Sequence, residues 1–292
     1  MEQVLDTLSY VKKFQGETIL IKVGGEIVEN PDGLKYLVND IALLQSLGIY
    51  VVLVHGGGAV IKAELDHHDI PSEFVGGLRK TTPEMIDIVE MALVGRVNTK
   101  LVRAFNAHGV KAVGLSGADA ETFLCRGLSP ELGRVGEIMT VNSDLVKDLL
   151  YKDLLPLNSY LPVVASIGVG MQGKAYNVNA DWAACKLAVS LGVKKLIYLT
   201  NAPGILDADK QLISEIDAGG LKALVDSGAA TDGMVAKVNT IVEALKSGVL
   251  DVHVLDGNQN HVIIEELFTS GGVGTVCRAR SELRSPVTEA KL

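Results

Sequence analysis

The chain has few cysteines and shows no metal-ligand spacing, no long apolar run and no excess of basic charge. Its three cysteines form no C-x-x-C pair and its six histidines show no H-E-x-x-H spacing, so we expect neither a disulfide framework nor a zinc site. No apolar run approaches the roughly 20 residues that a membrane helix needs. No basic region precedes an apolar stretch at the N-terminus, so we expect no secretory signal. We therefore predict a cytoplasmic protein with no membrane contact and no protein-held metal.

The charge balance is acidic, with 27 Lys and Arg against 35 Asp and Glu, for a net charge of −8. A nucleic-acid-binding protein needs a basic face that displaces counterions, so we exclude nucleic acid as a partner. Local positive groups must hold any anionic substrate, because the overall field does not attract it.

Apolar, β-rich runs alternate with helix-like spacings along most of the chain. The predicted strands cover residues 18–23, 51–54, 112–115, 162–167, 195–200 and 251–255. The predicted helices cover residues 34–47, 59–67, 83–107, 180–191, 218–227 and 235–247. This alternation predicts an α/β fold, a three-layer sandwich with a central, open and mainly parallel sheet.

Three segments fall outside this alternation. A glycine-rich seam at residues 168–178 separates two predicted lobes, residues 15–175 and 176–278. Residues 279–292 are predicted to form a flexible tail. An extra N-terminal helix, residues 1–14, either docks on its own domain or packs on another subunit. Its apolar stripe consists of Val4, Leu5, Leu8, Val11 and Phe14.

Lys22 is the first candidate for phosphate handling. It interrupts the apolar run of residues 19–23, and Gly24 and Gly25 follow it directly. A buried, unpaired ammonium group is costly, so this side chain must reach water or an anion at the carboxyl end of its strand. Open α/β sheets bind ligands at that edge, although Lys22 taken alone fits a solvent-facing lysine better.

Three consecutive glycines, residues 56–58, follow His55 at the end of a predicted strand and open the next helix. Glycine permits positive φ angles and close backbone approach, and the start of a helix carries free N–H groups. Because a tight turn rarely needs three glycines, we interpret this loop as an oxyanion-binding loop.

Two further charged residues, Asp181 and Lys237, lie near the starts of later helices. Taken alone, Asp181 fits an acid that complements the helix dipole, and Lys237 fits a surface lysine. With Lys22 they make two lysines and one carboxylate at element ends, a set that suits a transferring phosphoryl group. The chain offers no other base, nucleophile or metal cluster for a different chemistry.

Gly168, Gly170 and Gly173 match two nucleotide-binding patterns, G-x-G-x-x-G and G-x-x-x-x-G-K. The dinucleotide pattern fails because residues 174–178 look extended and no helix opens on the third glycine. The Walker pattern fails because Ala175 replaces the Ser or Thr that holds Mg²⁺. We predict a glycine-rich hairpin here, and a nicotinamide-dependent oxidoreductase is a weak alternative.

Seven motifs, spread in order over about residues 8–278, resemble the acetylglutamate kinases of the amino acid kinase family. They are Lys22-Val-Gly-Gly25, His55-Gly-Gly-Gly58, Gly77-Leu-Arg79, Asn98-Thr-Lys100, Gly114-Leu-Ser-Gly117, Asn177-Val-Asn-Ala-Asp181 and Asp232-Gly-Met-Val-Ala-Lys237. These enzymes transfer the γ-phosphoryl group of ATP to the side-chain carboxylate of N-acetyl-L-glutamate in arginine biosynthesis. The resemblance implies ATP, with Mg²⁺ bound through the nucleotide.

The resemblance also implies a role for each matched residue. Lys22 and Lys237 would stabilise the transition state, and Asp181 would organise them. The substrate-binding residues, in the lobe that also dimerises, would be Gly57, Gly58, Arg79 (on the α-carboxylate) and Asn177 (on the α-substituent). The nucleotide, in the second lobe, would be surrounded by Gly24, Gly25, Thr200, Asn201, Gly204, Ile205, Asp232, Gly233 and Met234.

The N-terminal segment resembles the extra helix of the arginine-inhibited, hexameric branch of this family. His253 and Glu266 resemble that branch's arginine-site residues, and Tyr10 is grouped with them, although Glu266 also fits an ordinary helix acid. The resemblance thus implies a homodimer that assembles into a hexamer, with L-arginine as feedback inhibitor. A nitrogen-regulatory partner protein, which some relatives bind, is a further expectation.

Some positions depart from the family pattern, which often has Tyr at Val23, Asp at Asn201 and an Asp-Gly pair near Ala120. These departures leave the acyl-amino-acid specificity open. A kinase for acetylated aminoadipate, aspartate or carbamate is one alternative, although Arg79 and Asn177 favour an α-carboxylate and an acylated amine. A non-catalytic arginine-sensing homologue is the other alternative, and the retained lysines and aspartate argue against it.

Overall fold

The computed structural model of the protein describes residues 11–152, 158–228, 232–269 and 271–279, and the side chain of Asp232 lies outside that description. The strands are β1 Thr18–Val23, β2 Tyr50–His55, β3 Phe74–Val75, β4 Leu78–Arg79, β5 Ala112–Ser116, β6 Phe123–Gly127, β7 Val135–Val141, β8 Leu161–Ala165, β9 Ile167–Gly170, β10 Ala175–Val178, β11 Lys195–Thr200, β12 Glu215–Asp217, β13 Asp251–Asp256 and β14 Thr275–Arg278. The α-helices are α1 Gly25–Glu29, α2 Pro31–Ser46, α3 Gly58–His67, α4 Ile86–Glu90, α5 Thr99–Ala107, α6 Asp144–Leu150, α7 Ala180–Leu191, α8 Ala218–Asp226, α9 Asp232–Lys246 and α10 Val262–Phe268.

The central sheet has eight strands in the order β12-β14-β13-β11-β1-β2-β8-β5. Neighbouring strands run parallel except for β13 and β14. Because a parallel sheet is covered on both faces, its strands are almost continuously apolar, which is why the sequence predicted them well. The predicted α/β class with a mainly parallel central sheet is confirmed.

Alternate residues of β1 contribute to two apolar layers on opposite faces of the sheet. Ile19 and Ile21 belong to the layer that contains Leu37 of α2, whereas Leu20 belongs to the layer that contains Ala184 of α7. Side chains on a strand have a period of two, so Lys22 follows Leu20 toward the face covered by α7. This periodicity directs Lys22 to the helix that carries Asp181.

A smaller unit of four strands, β6, β7, β9 and β10, closes on itself. The predicted strand at 162–167 is wrong at Ser166, where the chain leaves the central sheet after β8 and enters this unit as β9. β9 and β10 pair antiparallel around a turn with positive φ at Gln172 and Gly173. The predicted glycine-rich hairpin is therefore confirmed.

The helix predicted over residues 83–107 is present but not uniform. Between α4 and α5 the chain continues as a π-helix over Met91–Asn98, and the flanking residues keep helical dihedral angles. π-Helical stretches are rare, and they occur often at functional sites.

The end of the N-terminal helix docks on its own chain. Residues 11–14 are helical, and Phe14 is buried with its ring 5.8 Å from that of Phe268 in α10. Val4, Leu5, Leu8 and Tyr10 lie outside the described residues, as does the predicted tail from residue 280. In the ranges that the structure describes, no helix has both the length and the apolar character to cross a membrane.

Candidate active site

The first candidates meet at the carboxyl edge of the central sheet. β1 lies between β2 and β11, and Lys22 is in register with Val54 on one side and Tyr198 on the other. The loop of glycines 56–58 continues from β2, and Thr200 ends β11. Residues that the sequence separates by almost 180 positions therefore share one edge, as expected for parallel strands.

Asp181 lies in the first turn of α7, which Asn179 caps by accepting hydrogen bonds from the backbone N–H groups of Asp181 (2.9 Å) and Trp182 (3.1 Å). Lys22 Nζ lies 2.8 Å from Asp181 Oδ1, and Lys237 Nζ lies 2.6 Å from Asp181 Oδ2. The structure thus brings together the two lysines and the carboxylate that the sequence singled out, with each ammonium group on a different oxygen.

Two residues that sequence reasoning missed support this group. The Tyr198 hydroxyl lies 3.2 Å from the carbonyl oxygen of Asp181 and 3.1 Å from Thr240 Oγ1, and Thr240 donates to the carbonyl of Lys237 at 2.7 Å. Lys237 Nζ also lies 4.8 Å from the centre of the Tyr198 ring, a cation–π contact. A tyrosine inside an otherwise apolar strand was the only sequence signal for this contact.

The pKa values of Asp181 and Lys237 are shifted by burial and by the neighbouring charges. Burial raises the pKa of Asp181, but the ammonium groups of Lys22 and Lys237 outweigh burial and hold that pKa well below its ordinary value. Burial lowers the pKa of Lys237, which Asp181 opposes. With Asp181 ionised and both lysines protonated, the group carries one net positive charge, which suits an anionic ligand.

Two cavities meet at Lys22. A cavity of 230 Å³ is lined by the glycine loop, Arg79, Asn177 and Asp181. A second cavity of 490 Å³ is lined by Thr200, Asn201 and Lys237. Both cavities share Lys22, Gly24, Gly25, Gly58, Phe74 and Arg79. The predicted substrate residues thus line the smaller cavity, and part of the predicted nucleotide set lines the larger one.

Arg79 is fixed at the rim of the smaller cavity by the β3–β4 hairpin. Its Nη2 donates to the carbonyl of Gly58 at 2.9 Å, its Nη1 donates to Ser72 Oγ, and its guanidinium carbon lies 4.6 Å from the centre of the Phe74 ring. The arginine is buried. These contacts hold a cation beside the start of α3, where an anion would also meet free backbone N–H groups.

Asn177 lies across the smaller cavity on β10. Its Nδ2 donates to Thr81 Oγ1 at 3.0 Å, and Thr81 in turn donates to the carbonyl of Arg79 at 2.9 Å. Arg79 and Asn177 are therefore linked through Thr81, which the sequence gave no reason to single out.

The remaining described residues that were predicted to bind the nucleotide lie away from the two cavities. Among the residues that the structure describes, Gly204, Ile205, Gly233 and Met234 do not line either cavity. Ile205 is fully buried, and its N–H donates to Thr275 Oγ1 at 2.8 Å. A nucleotide role for these residues, and for Asp232, stays a prediction.

The predicted effector residues His253 and Glu266 form a buried pair with 2.8 Å between His253 Nδ1 and Glu266 Oε1. Lys195 Nζ lies 3.2 Å from His253 Nε2 and 2.5 Å from Asp251 Oδ2. A cavity of 290 Å³ beside this cluster is lined in part by Phe14, Lys195 and Asp251. Across the described ranges, no group of three or more His, Cys, Asp or Glu side chains could hold a metal ion.

Comparison with known proteins defines the class. Residues 17–256 match the model of the amino acid kinase family. The acetylglutamate kinase of Trichlorobacter lovleyi is 41% identical over 93% of this chain and 95% of that protein. The acetylglutamate kinase of Clostridioides difficile is 44% identical over 96% of this chain and 97% of that protein. The chain belongs to the amino acid kinase family, and within it to the acetylglutamate kinases, which are phosphotransferases.

Solved structures agree on the fold. N-acetylglutamate synthase from Neisseria gonorrhoeae, in complex with coenzyme A and N-acetyl-glutamate, matches with a TM-score of 0.85 at 25% identity, covering 96% of this chain. This chain spans only 63% of that synthase. The protein smu.665 from Streptococcus mutans matches with a TM-score of 0.77 at 26% identity, over 90% of this chain and 99% of that one.

Proposed function

We propose that the chain transfers the γ-phosphoryl group of ATP to the side-chain carboxylate of N-acetyl-L-glutamate, a step of arginine biosynthesis. The observation that carries the proposal is the pair of lysines held on the two oxygens of Asp181, at 2.8 Å for Lys22 and 2.6 Å for Lys237. The name of the relatives, acetylglutamate kinase, supports the substrate.

Transfer to a carboxylate needs alignment and charge neutralisation rather than a base. A side-chain carboxylate with a pKa of about 4.3 is already ionised at neutral pH. Negative charge spreads over the oxygens of the transferring group, with the attacking and leaving oxygens roughly in line. Lys22 lines both cavities, so under this proposal its ammonium group neutralises charge where the two anionic substrates meet.

In this proposal the smaller cavity holds the acylated amino acid. Arg79 binds the α-carboxylate, because a guanidinium offers paired N–H donors that match a carboxylate. The Asn177 amide binds the acylated amine, and the N–H groups of Gly57 and Gly58 bind the reacting end. A substrate with all three of these groups fits this cavity better than carbamate does.

The larger cavity holds the nucleotide, with Gly24, Gly25, Thr200 and Asn201 in its wall. Glycines and amides of this kind bind phosphates and ribose by backbone and side-chain donors. Among the described residues, the carboxylates that line the two cavities are Glu26 and Asp181, and Asp181 is occupied by two lysines. This donor set fits Mg²⁺ that enters bound to the phosphates, as is usual for Mg²⁺ in kinases. Bound Mg²⁺ supplies charge neutralisation on the phosphates.

The test is to trap the acyl phosphate with hydroxylamine in the presence of ATP and Mg²⁺. The acids compared are N-acetyl-L-glutamate, N-acetyl-L-aminoadipate, L-aspartate and carbamate. We expect N-acetyl-L-glutamate to give at least about ten-fold more trapped product than any other acid, since a site built around polar groups rejects a substrate that leaves them unpaired. A maximum with aminoadipate would reassign the substrate. Failure with every acid would favour a non-catalytic arginine-sensing homologue.

We infer in addition that L-arginine binds at the cluster of Lys195, Asp251, His253 and Glu266 and inhibits the enzyme. Asp251 and Glu266 provide carboxylates that suit a guanidinium group, and the adjacent cavity of 290 Å³ reaches the end of the N-terminal helix at Phe14. The same helix would join homodimers into a hexamer. A cytoplasmic location and a nitrogen-regulatory partner stay predictions from the sequence.

A further inference from the structure

A chain of polar contacts runs behind the glycine loop and ends on its backbone. His55 is fully buried at the end of β2, and Asn98, at the end of the π-helical stretch, is 4% exposed. Asn98 Nδ2 lies 3.0 Å from His55 Nε2, and His55 Nδ1 lies 3.0 Å from the carbonyl oxygen of Gly56. In the described part of the chain, neither side chain lines either cavity, so neither one reaches the substrates directly.

Backbone carbonyls fix the donor and the acceptor of each hydrogen bond in this series of contacts. Asn98 Nδ2 lies 2.8 Å from the carbonyl oxygen of Val163 and 3.2 Å from that of Leu115. Carbonyl oxygens only accept hydrogen bonds, so the amide must present its NH₂ group to them and to His55 together. An NH₂ group only donates, so His55 Nε2 is the acceptor and the ring proton lies on Nδ1. Burial lowers the pKa of His55 to about 4, which keeps the ring neutral.

The proton on Nδ1 determines where the next backbone N–H points. A trans peptide is planar, so the carbonyl of Gly56 and the N–H of Gly57 point in opposite directions. When His55 holds that carbonyl, the N–H of Gly57 points away from His55, and Gly57 itself lines the smaller cavity. Leu93 and Val97 pack closely against Gly57, because an added Cβ would lie 2.7 Å and 3.0 Å from their methyl groups.

The π-helical stretch supplies these contacts together. Leu93, Val97 and Asn98 all belong to Met91–Asn98, where each turn holds an extra residue compared with an α-helix. The wider turn changes which side chains face the glycine loop, and the packed and hydrogen-bonded residues both come from it.

We propose that His55 and Asn98 are positioning residues, which fix one imidazole tautomer and thereby aim the Gly57 N–H at the anion in the phosphoryl-transfer site. This inference rests on the proposed function and deepens it, since it assigns the control of one backbone donor. An aimed N–H donor stabilises charge that develops in the transition state. A change that turns this N–H away from the anion therefore lowers kcat more than it raises KM.

Two substitutions of His55 separate the tautomer from simple packing. His55→Asn keeps a donor at the place of Nδ1, whereas His55→Gln keeps a polar group at the place of Nε2 and removes that donor. We expect His55→Gln to lose about 10- to 100-fold in kcat with little change in KM, less than the roughly 10²- to 10³-fold loss when an oxyanion donor is removed, because this N–H is misdirected rather than absent. His55→Asn is expected to recover most of this loss. Equal losses in both variants, at comparable melting temperatures, would contradict the proposal.

Nitrogen NMR of the histidine rings in the free, full-length protein tests the tautomer without any substrate. We expect His55 to carry its proton on Nδ1 in the wild type. The near-isosteric Asn98→Leu change removes the donor that faces Nε2 without adding a charge, so the form protonated on Nδ1 should lose its preference and kcat should fall in the direction of His55→Gln. A wild-type ring protonated on Nε2 would overturn the inference whatever substrate the enzyme uses, whereas a failed substrate panel with the expected tautomer would overturn only the proposed function.

Discussion

At the scale of residues, Asp181 allows two like charges to lie side by side. Lys22 and Lys237 would repel each other in a buried site, but each ammonium group has its own carboxylate oxygen. Asp181 is held by helix α7, whose first turn Asn179 caps, so the lysines are oriented by a rigid element. Such preorganisation is what electrostatic stabilisation of a transition state requires.

We expect Lys22→Ala and Lys237→Ala each to lower kcat by about 10²- to 10³-fold with a much smaller effect on KM, because the lost charge acts on the transferring group. Steady-state kinetics with both substrates measures this. Lys111→Ala, at an exposed lysine next to β5, is the matched control and should behave like the wild type. If both active-site variants lost activity through KM alone, the assignment of these lysines would be wrong.

At the scale of elements, Glu266 joins helix α10 to strand β13 and to the turn before β14. Its carboxylate lies 2.8 Å from His253 Nδ1 and accepts from the N–H groups of Val273 (2.8 Å) and Gly274 (3.2 Å). Burial raises the pKa of Glu266, but these hydrogen bonds outweigh burial and lower the pKa to about 2. The folded state therefore stabilises the ionised carboxylate, in addition to any role in binding arginine.

Glu266→Gln should lower the free energy of unfolding at neutral pH by about 3 kcal/mol, the scale that corresponds to this pKa shift. The folded pKa lies below the unfolded one, so the contribution is fully present above about pH 4.5 and is lost as the pH falls toward 2. Urea unfolding at neutral pH and near pH 3 measures the difference. Glu265→Gln, at the exposed neighbouring residue, is the control, and a difference that did not shrink at low pH would contradict the pKa assignment.

At the scale of the whole molecule, the two proposed sites lie at opposite edges of one sheet. Lys195 and Asp251 begin β11 and β13, whereas Thr200 ends β11 beside the larger cavity. Six residues of strand separate these edges by roughly 16–20 Å. The N-terminal helix packs at the first edge, through Phe14 on α10. Coupling between the sites would therefore run along β11, whose two ends line the two regions through Lys195 and Thr200.

Deleting residues 1–14 should lower the oligomer mass and reduce inhibition by arginine, because it removes both the helix proposed to join the dimers and Phe14 beside the arginine cluster. Deleting only residues 1–10 keeps residues 11–14 docked on α10. This variant therefore separates the effect of residues 1–10 from that of the buried Phe14. Light scattering gives the mass, and arginine titration of the activity gives the sensitivity. A fully inhibited hexamer after the longer deletion would refute the regulatory proposal.

The amount of structure that the sequence could predict depends on burial. β1 and β11 match their predicted bounds because strands covered on both faces are continuous apolar runs. In the smaller unit, β6 and β7 were not predicted, since β7 is largely half-buried or exposed and lacks a clear period. The π-helix inside the predicted helix was also not predicted, because the spacing of apolar residues does not distinguish a π-helical turn from an α-helical one.

The amino-acid sequence alone determined the alternation of strands and helices, the glycine loop and the identity of the charged residues, because each depends on local periodicity or residue chemistry. Only the tertiary structure decided that Lys22 and Lys237 share one carboxylate and that Tyr198, Thr81 and Asn98 support the site. These contacts join residues 17 to 159 positions apart. Their distances depend on how the parallel strands and helices pack, which no local pattern encodes.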